Sequence, residues 1–110
     1  MSHHATAYLL ERVAGTVGVL RVGPDGQLTP LRHRVHHSPS GMEWGYAGSG
    51  PADLARSMLA DYLQDPDPHP ALYQQFKHDL IAPLDQEARR HRIEGATIAA
   101  WLADQQEAQR

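Results

Sequence analysis

The sequence predicts an α+β fold: a three- to four-stranded antiparallel sheet, mainly N-terminal, with two or three helices packed on one face. Three observations carry this. Residues 8–37 hold short apolar segments of strand-like period, separated by Gly and Pro turns. From Pro51 onward the apolar period changes to that of helices. Strands that precede helices, rather than alternating with them, argue against a parallel α/β sheet.

In chain order, Tyr8 to Val13 and Val17 to Val22 read as two strands joined by Ala14-Gly15-Thr16. Val17, Val19 and Arg21 share one face of the second strand. Gly18, Leu20 and Val22 share the other, and Gly18 marks a bulge or a close backbone approach. Gly23-Pro24-Asp25-Gly26 is a turn. Gln27 to His37 is predicted to return as a third strand, with Pro30 near its start or on an edge. The chain is read as a single domain over residues 1–110, with residues 1–6 a disordered tail. His3 and His4 sit in that tail and carry no site reading.

The centre of the chain is the stretch His37 to Leu63. Met42, Trp44 and Tyr46 alternate with Glu43, Gly45 and Ala47, which predicts a short strand. Gly48-Ser49-Gly50 then turns into a helix. Pro51 suits its first position, Gly50 its N-cap, and Asp53 its first turn, where the helix dipole favours a carboxylate. Leu54, Ala55, Met58, Leu59, Tyr62 and Leu63 form its apolar face. Trp44 is expected to lie buried beneath this helix.

The run from Ser38 to Ala55, SPSGMEWGYAGSGPADLA, resembles the signature block of a family of short proteins found in phages, plasmids and bacterial chromosomes. Phe76-Lys77 on the next helix and Trp101 near the C-terminus fit the same pattern. Met42 stands where a phenylalanine is common, and Ala47 where a glycine is common. The resemblance spans most of the chain. The family's function is uncharacterised, so the resemblance implies a setting and no activity.

Beyond the block, Pro66, Pro68 and Pro70 enforce an extended connection. A second helix opens at Pro70 or Ala71 and stops near Pro83, with Leu72, Tyr73, Phe76, Leu80 and Ile81 facing inward. Arg92-Ile93-Glu94 reads as a further short strand, and a third helix runs from about Ala96 to Gln106 with Ile98, Trp101 and Leu102 inward.

Composition narrows function mainly by exclusion. There are no cysteines, so disulfides, thiolate metal sites and cysteine nucleophiles are ruled out. The net charge of −3 does not favour nucleic acid. No apolar run is long enough to span a bilayer and the N-terminus lacks signal-peptide regions, so a cytoplasmic protein is expected. No metal-ligand spacing such as HExxH occurs, and no cofactor is implied.

The glycine-rich turn before the helix matches neither the P-loop nor the dinucleotide fingerprint. Pro51 and Asp53 also oppose an anion there. Ser49 with His36 or His37 as base and Asp53 as orienter lacks any nucleophile setting, so no catalytic residue is assigned. Glu43 is the better carboxylate candidate, although adjacent strand residues face opposite ways and would keep it off Trp44.

The reading that remains is a non-enzymatic binding or interaction protein. Its partner is expected to be a protein, with a homodimer possible. The expected contact residues are Arg32, Arg34 and His36, joined by Arg89, Arg90 and Arg92 if the fold brings the two basic runs together, with Tyr46 and Ser49 as a further surface. Arginine suits carboxylate and phosphate recognition because its planar fork makes paired hydrogen bonds. The bland alternative is two separate solvated runs. The competing class is a small-molecule or nucleotide-binding protein, or a small enzyme, using the glycine turn with Glu43, His36 and His37.

Overall fold

Four antiparallel strands form one sheet in the order β3-β2-β1-β4, in a computed structural model that describes residues 4–38 and 40–108. The elements are β1 (Ala7–Val13), β2 (Thr16–Val22), β3 (Leu28–Pro30), α1 (Ser49–Leu63), α2 (Pro70–Phe76), β4 (Arg90–Glu94) and α3 (Gly95–Ala108). A single π-helical turn, Lys77–Ile81, continues α2.

β1 and β2 pair in unbroken register from Ala7 opposite Val22 to Val13 opposite Thr16. The reversal between them takes positive φ at both Ala14 and Gly15, the pattern that matches the twist of a tight hairpin. β4 returns late in the chain to pair with the far edge of β1. Alternation then sorts the sheet into two faces. Tyr8, Leu10, Val19 and Ile93 are buried in one cluster with Leu54, Met58 and Leu59 of α1, Tyr73 and Phe76 of α2, and Ile98 and Trp101 of α3. The opposite face carries Leu9, Glu11, Gly18, Leu20, Arg90 and Arg92 and has no helix over it among the described residues.

Polar contacts tie helix to sheet. Asp61 of α1 accepts from Tyr8 Oη at 2.5 Å and from Arg21 Nε at 2.9 Å, so one carboxylate joins β1, β2 and α1. Burial and the Asp61 carboxylate push the Tyr8 phenol well above its ordinary value. Phe76 meets Trp101 edge-on at 5.1 Å, and Trp101 Nε1–H donates to Asp79 in the π turn at 2.8 Å.

Four local expectations differ from what forms. The third strand ends at Pro30 instead of reaching His37, because the backbone donors that follow are taken by a helix carboxylate. Trp44 and Tyr46 lie outside any strand. Gly45 between them has φ +90°, and its N–H bonds Ile81 O at 3.1 Å. α1 begins one residue earlier than its proposed cap, with Gly48 as N-cap, which puts Asp53 beyond the first turn. Gly18 marks neither a bulge nor a close approach: its register is regular, and a Cβ built there meets nothing within 4 Å. Of the N-terminal tail, residues 1–3 lie outside the described residues. His4 stacks on Tyr62 with ring centroids 4.3 Å apart, and Thr6 N bonds Val22 O at 2.8 Å.

Candidate functional site

Residues 31–38 leave the sheet edge without regular structure, and α1 holds them. The Asp53 side chain is fully buried. It accepts the backbone N–H groups of His36 (3.1 Å), His37 (2.8 Å) and Ser38 (3.0 Å), and His33 Nε2 at 2.9 Å. Three successive amides converging on one carboxylate form a nest of the kind that binds anions, here filled from within the chain. Burial alone would raise the Asp53 pKa. The His33 hydrogen bond and the three amides outweigh it and hold the carboxyl below its ordinary range.

The loop is fastened at further points. Leu31 N bonds Val19 O at 2.8 Å, and Arg34 N bonds Ser57 Oγ at 3.0 Å. His37 Nε2 meets Tyr73 Oη at 2.7 Å. The side chains that remain outward are Arg32, Val35 and His36, with Arg34 half-buried and Val35 59 % exposed.

A second polar arrangement surrounds the distinctive stretch itself. Trp44 is buried, its indole N–H bonded to Asp85 O at 3.0 Å and its ring edge-on to His91 at 5.3 Å. The Arg12 guanidinium lies 4.5 Å from the Trp44 ring centroid and makes a 2.7 Å ion pair with Glu43 Oε2. Glu43 and Trp44 thus act on the same cation, an outcome that strand geometry would forbid and an irregular backbone permits. Glu43 Oε1 is buried and has no hydrogen-bond partner among the described residues.

The glycines of this stretch make room for their neighbours. A Cβ on Gly45 would sit 2.5 Å from Gln86 Cβ, and one on Gly48 would sit 2.5 Å from the Tyr46 ring. One on Gly50 would lie 2.8 Å from Glu43 Cβ. Tyr46, 42 % exposed, is folded back toward the start of α1 by this packing. Arg12, Glu43, Tyr46, Gln86 and Glu87 line a hollow of about 440 Å³. Ser49 opens α1 nearby and is exposed.

The two basic runs occupy opposite sides of the sheet. Arg32, Arg34 and His36 follow β3 at one edge; Arg89 precedes β4 and Arg90 and Arg92 lie on it at the other. Three strand spacings separate those edges, about 14 Å. Arg90 pairs with Glu11 at 2.8 Å and Arg92 pairs with Glu94, while the Arg89 carbonyl accepts Arg12 N.

Sequence reading missed Arg12 and the true partners of Asp53. A signal for Arg12 existed: it falls in register with Tyr8 and Leu10, so an arginine on the core face needed a partner. None existed for Asp53, whose ligands are backbone amides that any sequence supplies. Among the described residues, no group of three or more His, Asp or Glu side chains is placed to hold a metal ion. No helix among them is long and apolar enough to cross a membrane.

Compared with known proteins, residues 11–104 match the family model DUF6166, a family of unknown function. No curated protein and no solved structure matches the chain.

Proposed function

Since the chain belongs to the DUF6166 family, whose function is unknown, we propose from its own chemistry that it is a non-enzymatic interaction protein. It presents the loop Arg32–His37 to an acidic surface of a partner protein. The observation that carries this is the Asp53 clip. Four hydrogen bonds to one buried carboxylate fix an irregular loop whose outward side chains are Arg32, Val35 and His36. A loop ordered in advance loses little conformational entropy on binding. Its positive charge stands out in a chain of net charge −3. The phage or mobile-element setting that the resemblance implies fits a cytoplasmic role in modulating a host or defence protein.

The test is affinity capture with size-exclusion chromatography, comparing the parent with Arg32→Glu/Arg34→Glu. A stoichiometric protein partner whose binding weakens with salt and is lost in the double reversal supports the proposal. Unchanged binding refutes the surface.

A second reading rests on the unpartnered Glu43 Oε1 beside the 440 Å³ hollow. That hollow, with Tyr46 and nearby Ser49, is the seat for a small-molecule or nucleotide ligand or a small enzyme's chemistry. His37 is engaged with Tyr73, which leaves Glu43 to carry this reading. A several-degree thermal shift with a nucleotide or other small molecule, without a protein partner, would favour it.

A further inference from the structure

Gly18 gives up strand stability with no local return. Glycine in a strand costs backbone entropy and packs nothing. It is retained elsewhere for positive φ or a close approach, and Gly18 has neither: its pairing opposite Glu11 is regular and the space above it is open. That space belongs to a hollow of about 830 Å³, which runs over the open face of the sheet and around β2 where β3 has ended. The volume lies within the range of small-ligand sites, roughly 300–1,000 Å³.

The floor of the hollow on the open face is apolar, with Leu9 directly opposite Leu20 and Leu20 opposite Pro30. Its charged lining consists of two guanidiniums, Arg90 and Arg92, against one carboxylate, Glu11. The lining alone is net positive, and Glu94 just outside it balances the second guanidinium. Arg90 pairs with Glu11 and Arg92 with Glu94, with the two arginines 78 % and 51 % exposed and the two carboxylates 45 % and 48 % exposed. Exposed pairs of this kind contribute little, so a ligand acid can take the guanidiniums over.

We propose that this hollow binds an amphipathic organic anion, with an apolar body on Leu9, Gly18 and Leu20 and a carboxylate held by Arg90 and Arg92. A second copy of the chain fits the same face less well. Strand spacing and rise over strands of 7, 7, 3 and 5 residues give the face roughly 350 Å², so two copies would bury about 700 Å², below the ~1,200 Å² of specific interfaces. The proposal differs from the loop reading in its charged contacts, which lie on β4 at the other edge of the sheet, while Leu31 and His33 of the loop line the far end of the hollow.

Decanoate is the probe, titrated into the labelled protein by amide NMR, with 1-decanol as its uncharged analogue. Decanoate should bind with a Kd on the order of 0.1–1 mM and shift the amides of β1, β2 and β4. Arg90→Ala/Arg92→Ala should weaken decanoate about tenfold and leave decanol unchanged. Gly18→Val and Gly18→Phe meet no atom at Cβ and favour the strand, so the melting temperature should hold or rise. Binding of both probes to these variants should fall about tenfold as the hollow fills. No shift at millimolar decanoate, shifts confined to other elements, or unchanged affinity in the Gly18 variants would each overturn the proposal. A concentration-dependent dimer that Gly18→Phe abolishes, without decanoate binding, would give the face to a second copy and overturn it too.

Discussion

Replacing Asp53 with asparagine tests whether one buried carboxylate holds the basic loop. The substitution keeps shape and one acceptor oxygen but turns an amide NH₂ toward a cluster of donors. The native oxygens accept from three backbone amides and His33. Hydrogen bonds to a charged acceptor contribute about 1.5–3 kcal/mol each, but the amides of the exposed residues His36 and His37 can turn to water once released. Ser38 is buried and its amide is less easily rescued. The expected loss is therefore about 2–4 kcal/mol rather than the sum of four bonds.

Urea denaturation measures that loss, and hydrogen exchange of the residue 36–38 amides locates it. The same variant has a pH signature. The folded-state pKa of Asp53 is depressed, so its contribution is fully present above the unfolded value, about 3.9, and is lost as pH falls through the folded value. Acid destabilisation below about pH 4 should be shallower in Asp53→Asn than in the parent. A loss under about 1 kcal/mol with the loop amides still protected would refute the clip.

Other consequences follow from packing. Trp44→Ala removes a fully buried indole and its bond to Asp85 O, and should cost about 3–5 kcal/mol by denaturant melt. Melting like the parent would mark Trp44 as a surface anchor instead. Gly45→Ala should cost about 2–4 kcal/mol, since it combines φ +90° with a Cβ 2.5–2.9 Å from three Gln86 atoms; a stable variant would show that residue 86 can give way. Arg32→Glu/Arg34→Glu should leave the melting temperature within a few degrees of the parent, because Arg32 is exposed and the half-buried Arg34 holds Ser57 through its backbone N–H, which the substitution keeps. A large drop would assign the pair a structural role.

The sequence was legible where side-chain period sets structure. Tyr8, Leu10, Val19 and Ile93 alternate as a sheet face should, and Leu54, Ala55, Met58, Leu59 and Tyr62 recur as a helix face should. Pro70 opens α2 as expected, where His69 also caps the first turn through Nδ1. The failures share one cause. RHRVHH has acceptable strand alternation, but nothing in it reveals that Asp53 will compete for its backbone donors. Met42 to Tyr46 alternates correctly as well, yet no strand forms there and Gly45 takes a φ outside the strand region. Pattern reading registers side chains and is blind to where main-chain N–H groups go. Candidate site residues were therefore legible as exposed types, whereas their separation on opposite sheet edges depended on β4 returning beside β1 instead of β3.

The most distinctive stretch of the sequence is also the most structurally committed. Gly45 makes room for Gln86, Gly48 for the Tyr46 ring and Gly50 for Glu43. Trp44 receives Arg12 on its face, and Asp53 fastens the loop before it. Phe76 and Trp101, distant in sequence, meet edge-on and lock the π turn to α3 through Asp79. A rare arrangement of Trp, Gly and Asp is what a small domain needs to join an irregular segment to a helix without a strand between them. Rarity of this kind reports the demands of the scaffold. Partners and ligands must then be sought in what that scaffold leaves outward and unexplained by packing: Arg32, Val35 and His36 on the fastened loop, and the unfilled space above Gly18. Each is a position the fold does not require, so substitution there can separate function from folding.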